Sequence, residues 1–193
     1  MLRHVVDLPP RIYLTGFMGC GKSTIGPLLA RRLGYTFLDL DALIVRQAGR
    51  SIPEIFAEGG EAAFRTLERD ALRRTAALDA YVIATGGGAL VSDDNLAWAL
   101  RNGRVVYLQV SADELARRLA PEAAGRPLLQ DRHRRPLQGA ALRRRIAAML
   151  ARREPWYRRA HHVVATDGLS VEETVEAVLH ALRTYRASRN ERR

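Results

Sequence analysis

The stretch Gly16-Phe17-Met18-Gly19-Cys20-Gly21-Lys22-Ser23 constrains this chain more than any other feature. Its spacing, G-x-x-x-x-G-K-S, makes physical sense only between a strand and a helix. The glycines must turn backbone N–H groups inward, and a helix N-terminus must follow to complete a cradle for phosphate oxygens. The flanks fit: Arg11–Thr15 reads as an apolar strand, and Lys22–Leu33 as a helix that Gly34 stops. Lys22 is placed to reach the β- and γ-phosphates of a nucleotide, and the Ser23 hydroxyl to ligate its Mg²⁺. Of 31 lysines and arginines, Lys22 is the one lysine. A compact ammonium on a flexible stem suits this position, and a planar fork does not.

The rest of the chain repeats the same alternation. Apolar runs at Thr36–Asp39, 80–84, 104–110 and His162–Ala165 read as further strands, with helical patterns between them. Five strands alternating with helices predict an α/β fold on a parallel sheet, and 193 residues suit one domain, 1–193. Ser51 with Glu54, Ser111 with Glu114 and Ser170 with Glu173 have capping-box spacing and predict three helix starts. Nothing approaches the run of about 18 apolar residues that a membrane span needs. Residues 1–10 carry charges and no apolar leader, and one cysteine cannot form an internal disulfide, so the expected compartment is the cytoplasm. The net charge of +10 owes part of its excess to Arg183, Arg186, Arg189, Arg192 and Arg193. This basic tail, about 184–193, reads as solvated, because no nucleic-acid recognition motif or aromatic interleaving accompanies it.

Three further features bear on chemistry. Asp39-Leu40-Asp41 closes the second strand, where carboxylates emerge at the sheet edge that binds ligands. As alternate residues of a strand the two would share a face. One could hold Mg²⁺ through water while the other takes a hydroxyl proton; the plainer reading is a helix N-cap pair. Thr85-Gly86-Gly87-Gly88 follows the third strand at the same edge, and three glycines let a ligand approach the main chain closely. The segment 121–136 holds three prolines, a glycine and four arginines without periodicity, which predicts a long mobile loop acting as a lid. Spacing singles out none of the arginines: Arg65 with Glu68 reads as a surface pair, and Arg126 and Arg153 carry no pattern of their own.

Taken together, GFMGCGKST at 16–24, FLDLD at 37–41, SIPEIF at 51–56, GEAAFRTLE at 60–68, TGGG at 85–88, RPLL at 126–129 and RREPWY at 152–157 resemble the shikimate kinase family, in the family's order. The resemblance implies a three-layer α/β/α P-loop kinase fold with a five-stranded parallel sheet. It also implies a substrate-binding helical segment at about 41–70 and a lid at about 120–136. The implied reaction is transfer of the γ-phosphate of ATP to the 3-hydroxyl of shikimate, with Mg²⁺, on a monomer.

Residue by residue, the resemblance assigns ATP to Gly19, Cys20, Gly21, Lys22, Ser23 and Thr24, with Arg118 against adenine and Arg126 closing from the lid. Asp41 would accept the hydroxyl proton, and Asp39 would help Ser23 hold the metal through water. Arg65 and Arg153 would clamp the substrate carboxylate, Glu68 would steady Arg65, and Gly86, Gly87 and Gly88 would line the ring. Two departures stand out. The interval from Arg118 to Arg126 is one residue longer than the family's, and Ala165-Thr166-Asp167-Gly168 follows its adenine loop only in part. The competing readings are a gluconate or nucleotide kinase on the same scaffold, and a P-loop ATPase that uses the basic tail to bind nucleic acid.

Overall fold

Strands β1 (Arg11–Thr15), β2 (Thr36–Asp39), β3 (Tyr81–Ala84), β4 (Arg104–Gln109) and β5 (His162–Ala165) form one sheet in the order β2-β3-β1-β4-β5, with every pairing parallel. This computed structural model describes residues 8–190, with side chains through Arg183. Strands buried on both faces need nearly continuous apolar runs, and RIYLT, YVIA and RVVYLQ supply them. Alternation then divides the core. Ile12, Leu14, Val82, Val106 and Leu108 pack with side chains of α1 (Lys22–Leu33), α5 (Ala112–Leu119), α6 (Gly139–Tyr157) and α7 (Val171–Asn190). Tyr13, Ile83 and Val105 face the other way, against α2 (Leu40–Ala48), α3 (Ile52–Arg74) and α4 (Asp93–Asn102). The result is three layers, and each fully buried Ile or Leu contributes about 1.5–3 kcal/mol relative to exposure.

The helix boundaries follow from local chemistry. Helix α1 ends as its sequence predicts: Gly34 is left-handed at φ 71°, and the Tyr35 N–H returns to the Ala30 carbonyl at 2.8 Å. Ser51 and Glu54 close a full capping box on α3, and Ser170 and Glu173 exchange the same two hydrogen bonds before α7. The Ser111 box forms by half. Ser111 caps Glu114, but the Glu114 carboxylate turns to Arg117 and Arg118, and the Ser111 N–H goes to Asp167 instead.

Other expectations shift. Ala80 has φ 56° and precedes β3, and β4 stops at Gln109. Asp41 is not on a strand with Asp39; it lies in the first turn of α2, with Asp39 as the N-cap. The expected irregular lid is two 3-10 turns, Ala120–Gly125 and Pro127–Leu129, followed by an antiparallel bridge between Gln130 and Pro136. Pro121 and Pro127 start the 3-10 turns, so a lack of helical periodicity here marks tight turns. Helix α7 continues to Asn190, so the expected basic tail begins inside a helix. The side chains past Arg183 lie outside the described residues, as do 1–7 and 191–193.

Candidate active site

Strand order reverses at β1, which has β3 on one side and β4 on the other. A crevice opens at the carboxyl ends of such strands, and this is where ligands of parallel sheets bind. The loops after β1, β2 and β3 all emerge there.

The loop after β1 turns through left-handed or extended positive-φ glycines at Gly16, Gly19 and Gly21. Gly21 is the N-cap of α1 and offers no side-chain cap, so in the first turn only the Thr24 N–H turns back, to the Gly21 carbonyl at 3.0 Å, and the helix N-terminus is left open to an anion. The Lys22 ammonium lies over the loop and donates to the carbonyls of Gly16 at 2.8 Å and Phe17 at 3.0 Å. Cys20 is buried, and its N–H closes a turn onto the Phe17 carbonyl at 3.2 Å. On the other side of Lys22, the Ser23 hydroxyl donates to Oδ2 of Asp39 at 3.1 Å. Oδ1 of Asp39 accepts from the N–H groups of Asp41 and Ala42. The oxygen that caps α2 and the oxygen that meets Ser23 are therefore different oxygens of one carboxylate. Two adjacent hard oxygen donors at a phosphate cradle fit a small hard cation such as Mg²⁺, which takes few protein ligands and fills the rest with water and phosphate.

Asp41 sits deeper. Burial, then the negative charge of Asp39, push its pKa above the usual aspartate range, against the pull of Lys22 and Arg65. Its Oδ1 is buried without a hydrogen-bond partner, an acceptor aimed at something other than protein. The close approach of Gly86 makes this possible. A Cβ there would lie 2.8 Å from Asp41 Oδ1 and 3.2 Å from Oε1 of Glu68. At Gly88 a Cβ would meet Arg65 Nη1 at 2.6 Å and Nη2 at 2.9 Å. The glycines thus leave room for two carboxylates and a guanidinium against the main chain.

Glu68 is 1% exposed and takes Nη1 of Arg65 at 2.8 Å. Burial raises its pKa, which Arg65 opposes. Burial likewise works against the charge on Arg65, but Glu68 and Glu61 outweigh it and raise its pKa. The pair is no solvated surface bridge. Arg153, on α6, reaches the same place from the opposite side: Nη1 donates to the Gly87 carbonyl at 3.4 Å, and its guanidinium lies 5.4 Å from the Phe17 ring centroid.

The fold therefore brings Lys22, Ser23, Asp39, Asp41, Arg65, Gly86, Gly87, Gly88 and Arg153 to one crevice. The two arginines expected to meet the nucleotide, Arg118 and Arg126, are instead held in local pairs. Arg118 pairs with Glu114 at 2.7 Å, although its neighbour Leu119 packs against Gly19, and Arg126 pairs with Glu122 one turn back in the lid. Each arginine has a carboxylate at i−4, the nearest partner available on its own turn.

Two residues escaped the sequence reading. Tyr157 donates its hydroxyl to the Gly87 carbonyl, and burial pushes its pKa up to about 12, so it remains a donor. It lies four residues beyond Arg153 and hence on the same helix face, a spacing that could have revealed it. Glu61 holds the outer edge of Arg65 at 3.0 Å.

A glycine-loop cradle, an adjoining pair of hard oxygens, an unpartnered carboxylate and facing arginines, on a sheet of this topology, define a P-loop kinase for a small anionic acceptor. A family model described as shikimate kinase matches residues 18–183. The shikimate kinase of Salinibacter ruber is 52% identical over 174 residues, covering 90% of this chain and 85% of the relative. Among solved structures, shikimate kinase from Acinetobacter baumannii in complex with shikimate has a TM-score of 0.81 at 35% identity, covering 93% of this chain and 95% of that one. Shikimate kinase from Bacteroides thetaiotaomicron has a TM-score of 0.80 at 37% identity, with 91% and 99% covered. The chain belongs to the shikimate kinase family.

Proposed function

We propose that the chain transfers the γ-phosphoryl group of ATP to the 3-hydroxyl of shikimate, with Asp41 as the proton acceptor. The observation that carries this reading is the buried, unpartnered Oδ1 of Asp41, set between the phosphate loop and the Arg65 and Arg153 guanidinium groups. The loop residues Gly19, Cys20, Gly21, Lys22, Ser23 and Thr24 receive the phosphates, and Lys22 moves from the loop carbonyls onto phosphate oxygens. Ser23 directly, and Asp39 through water, would hold Mg²⁺, which neutralises phosphate charge when bound. Arg65 and Arg153 grip the ring carboxylate from two sides and turn one hydroxyl toward Asp41. Gly86, Gly87 and Gly88 let the ring lie against the main chain.

Phosphoryl transfer asks mostly for positioning and charge neutralisation. Accordingly, Asp41 orients the hydroxyl and takes its proton as the O–P bond forms. Arg126 must leave Glu122 to reach the transferring group, and Arg118 must leave Glu114 to meet adenine. The Arg126–Glu122 pair is exposed, so its release costs on the order of 1 kcal/mol or less, whereas Arg118 and Glu114 are both half-buried and their release costs more. The same reading takes the protein as a cytoplasmic monomer. Among the described residues no helix is long and apolar enough to cross a membrane.

The test is Asp41→Asn. A lost general base should lower kcat about a hundredfold or more, while shikimate binding followed by calorimetry stays within a few-fold. A variant turning over at near the parent rate removes Asp41 from the chemistry.

A further inference from the structure

We propose that Glu61 is an internal stand-in for the acceptor's carboxylate, which an incoming acid must displace from Arg65; this rests on the reading that Arg65 grips that carboxylate. A guanidinium carries five N–H donors in a fixed fork, and Arg65 divides them between two glutamates. Nη1 donates to Oε2 of Glu68 at 2.8 Å. Nε and Nη2 both donate to Oε1 of Glu61, at 3.3 and 3.0 Å. The Nε and Nη2 edge carries two parallel N–H groups, the geometry that meets a carboxylate with two hydrogen bonds. Glu61 therefore occupies the edge of Arg65 best suited to an anionic substrate.

The two glutamates differ in how firmly they are held. The Glu68 side chain is 2% exposed and cannot turn away without leaving a charge buried; that of Glu61 is 70% exposed and can rotate into water. Glu68 fixes the guanidinium plane, and Glu61 yields.

The backbone has a specific device for placing Glu61. Helix α3 is broken at Gly60, where φ is 67° and ψ is −168°, a region open essentially to glycine alone. A new helical segment starts at the next residue, which puts Glu61 in a first turn. A negative side chain is favoured there by the helix dipole, with Arg65 one turn further along. An acid entering this site must outcompete a neighbour tethered one turn away, whereas a neutral analogue has no use for the vacated edge. Glu61 thus weakens the site for carboxylates and sets the concentration at which it fills.

The experiment measures kcat and KM for shikimate and for its neutral methyl ester in Glu61→Gln, with Arg65→Gln in parallel. Glu61→Gln should lower the KM for shikimate about two- to five-fold, the range that an exposed ion pair supports. The kcat should move less, and the KM for the ester should not move. Raising salt to about 1 M, where exposed pairs are screened, should shrink the difference between parent and variant. A KM for shikimate that stays the same in Glu61→Gln would overturn the proposal. A higher KM would also overturn it, by showing that Glu61 orients Arg65 for the substrate. Arg65→Gln tests the underlying reading separately. It should raise the KM for shikimate and spare that for ATP, and if it does not, the carboxylate grip itself is wrong whatever Glu61 does.

Discussion

One added methyl group, placed at either of two positions in the Gly86–Gly88 loop, should produce two different kinetic signatures. An alanine Cβ at Gly88 would lie 2.6 Å from Nη1, 2.9 Å from Nη2 and 3.1 Å from Cζ of Arg65. Ordinary contact begins at 3.4 Å, so the guanidinium must retreat by about 1 Å. Gly88 has no positive φ, and the displaced atoms are the far end of a long side chain. Stability should accordingly change by no more than about 1 kcal/mol. Binding should suffer far more, because hydrogen bonds to a charged group contribute about 1.5–3 kcal/mol. That converts to a rise of roughly ten- to a hundredfold in the KM for shikimate, with the KM for ATP within about twofold.

At Gly86 the same methyl meets Oδ1 of Asp41 at 2.8 Å and Oε1 of Glu68 at 3.2 Å. It should displace the proton acceptor, and a 1 Å error in a reacting group can cost about a hundredfold in rate. Gly86→Ala should therefore lower kcat chiefly, and Gly88→Ala should raise KM chiefly. Coupled ADP-release kinetics at saturating levels of each co-substrate separate the two effects, and thermal unfolding checks the fold. The reasoning fails if folded Gly88→Ala keeps its KM for shikimate, or if the two variants show the same signature.

Three other predictions follow from the same geometry. Arg153→Ala should raise the KM for shikimate about ten- to a hundredfold and leave that for ATP within about twofold, by steady-state kinetics with each substrate varied in turn. Burial and the charge of Asp39 raise the pKa of Asp41, so the acidic limb of kcat should lie above the usual aspartate range. Activity should fall as pH drops through that limb; a pH–rate profile flat down to about pH 4 would contradict it. Burial, with Arg104 and His162 close by, lowers the pKa of His161 to about 4, and its Nδ1 accepts from the Val105 N–H at 3.0 Å. The unfolded chain takes up that proton near its ordinary value of about 6.5. Stability should therefore be full above about pH 6.5 and decline toward about pH 4. Urea midpoints should fall more over that window in the parent than in His161→Asn, which keeps an acceptor without the charge.

What the sequence revealed and what it hid have physical causes. The phosphate loop, β1, α1 and the Gly34 stop were legible because local geometry dictates their residues: glycine where φ is positive, apolar runs where both strand faces are buried, and a lysine where a mobile point charge is needed. The Asp39 and Asp41 pair was legible as a pair but not as a geometry. The chain enters α2 between them, and only Asp39's role as N-cap fixes where Asp41 points. The arginines were illegible from spacing because Arg65 and Arg153 meet through tertiary structure, one from α3 and one from α6, on either side of a three-glycine loop. The family resemblance supplied those two. It also supplied Arg118 and Arg126, which this structure holds in local i−4 pairs. The local structure of the lid segment was not legible because proline-started 3-10 turns have no helical period to detect.

The central claim is most directly tested by ADP formation from purified protein with MgATP, comparing shikimate, gluconate, AMP and no acceptor. The account predicts turnover with shikimate and near-background ADP from the other three. Equal ADP release without an acceptor, or a preference for gluconate or AMP, would contradict the roles given to Asp41, Arg65 and Arg153.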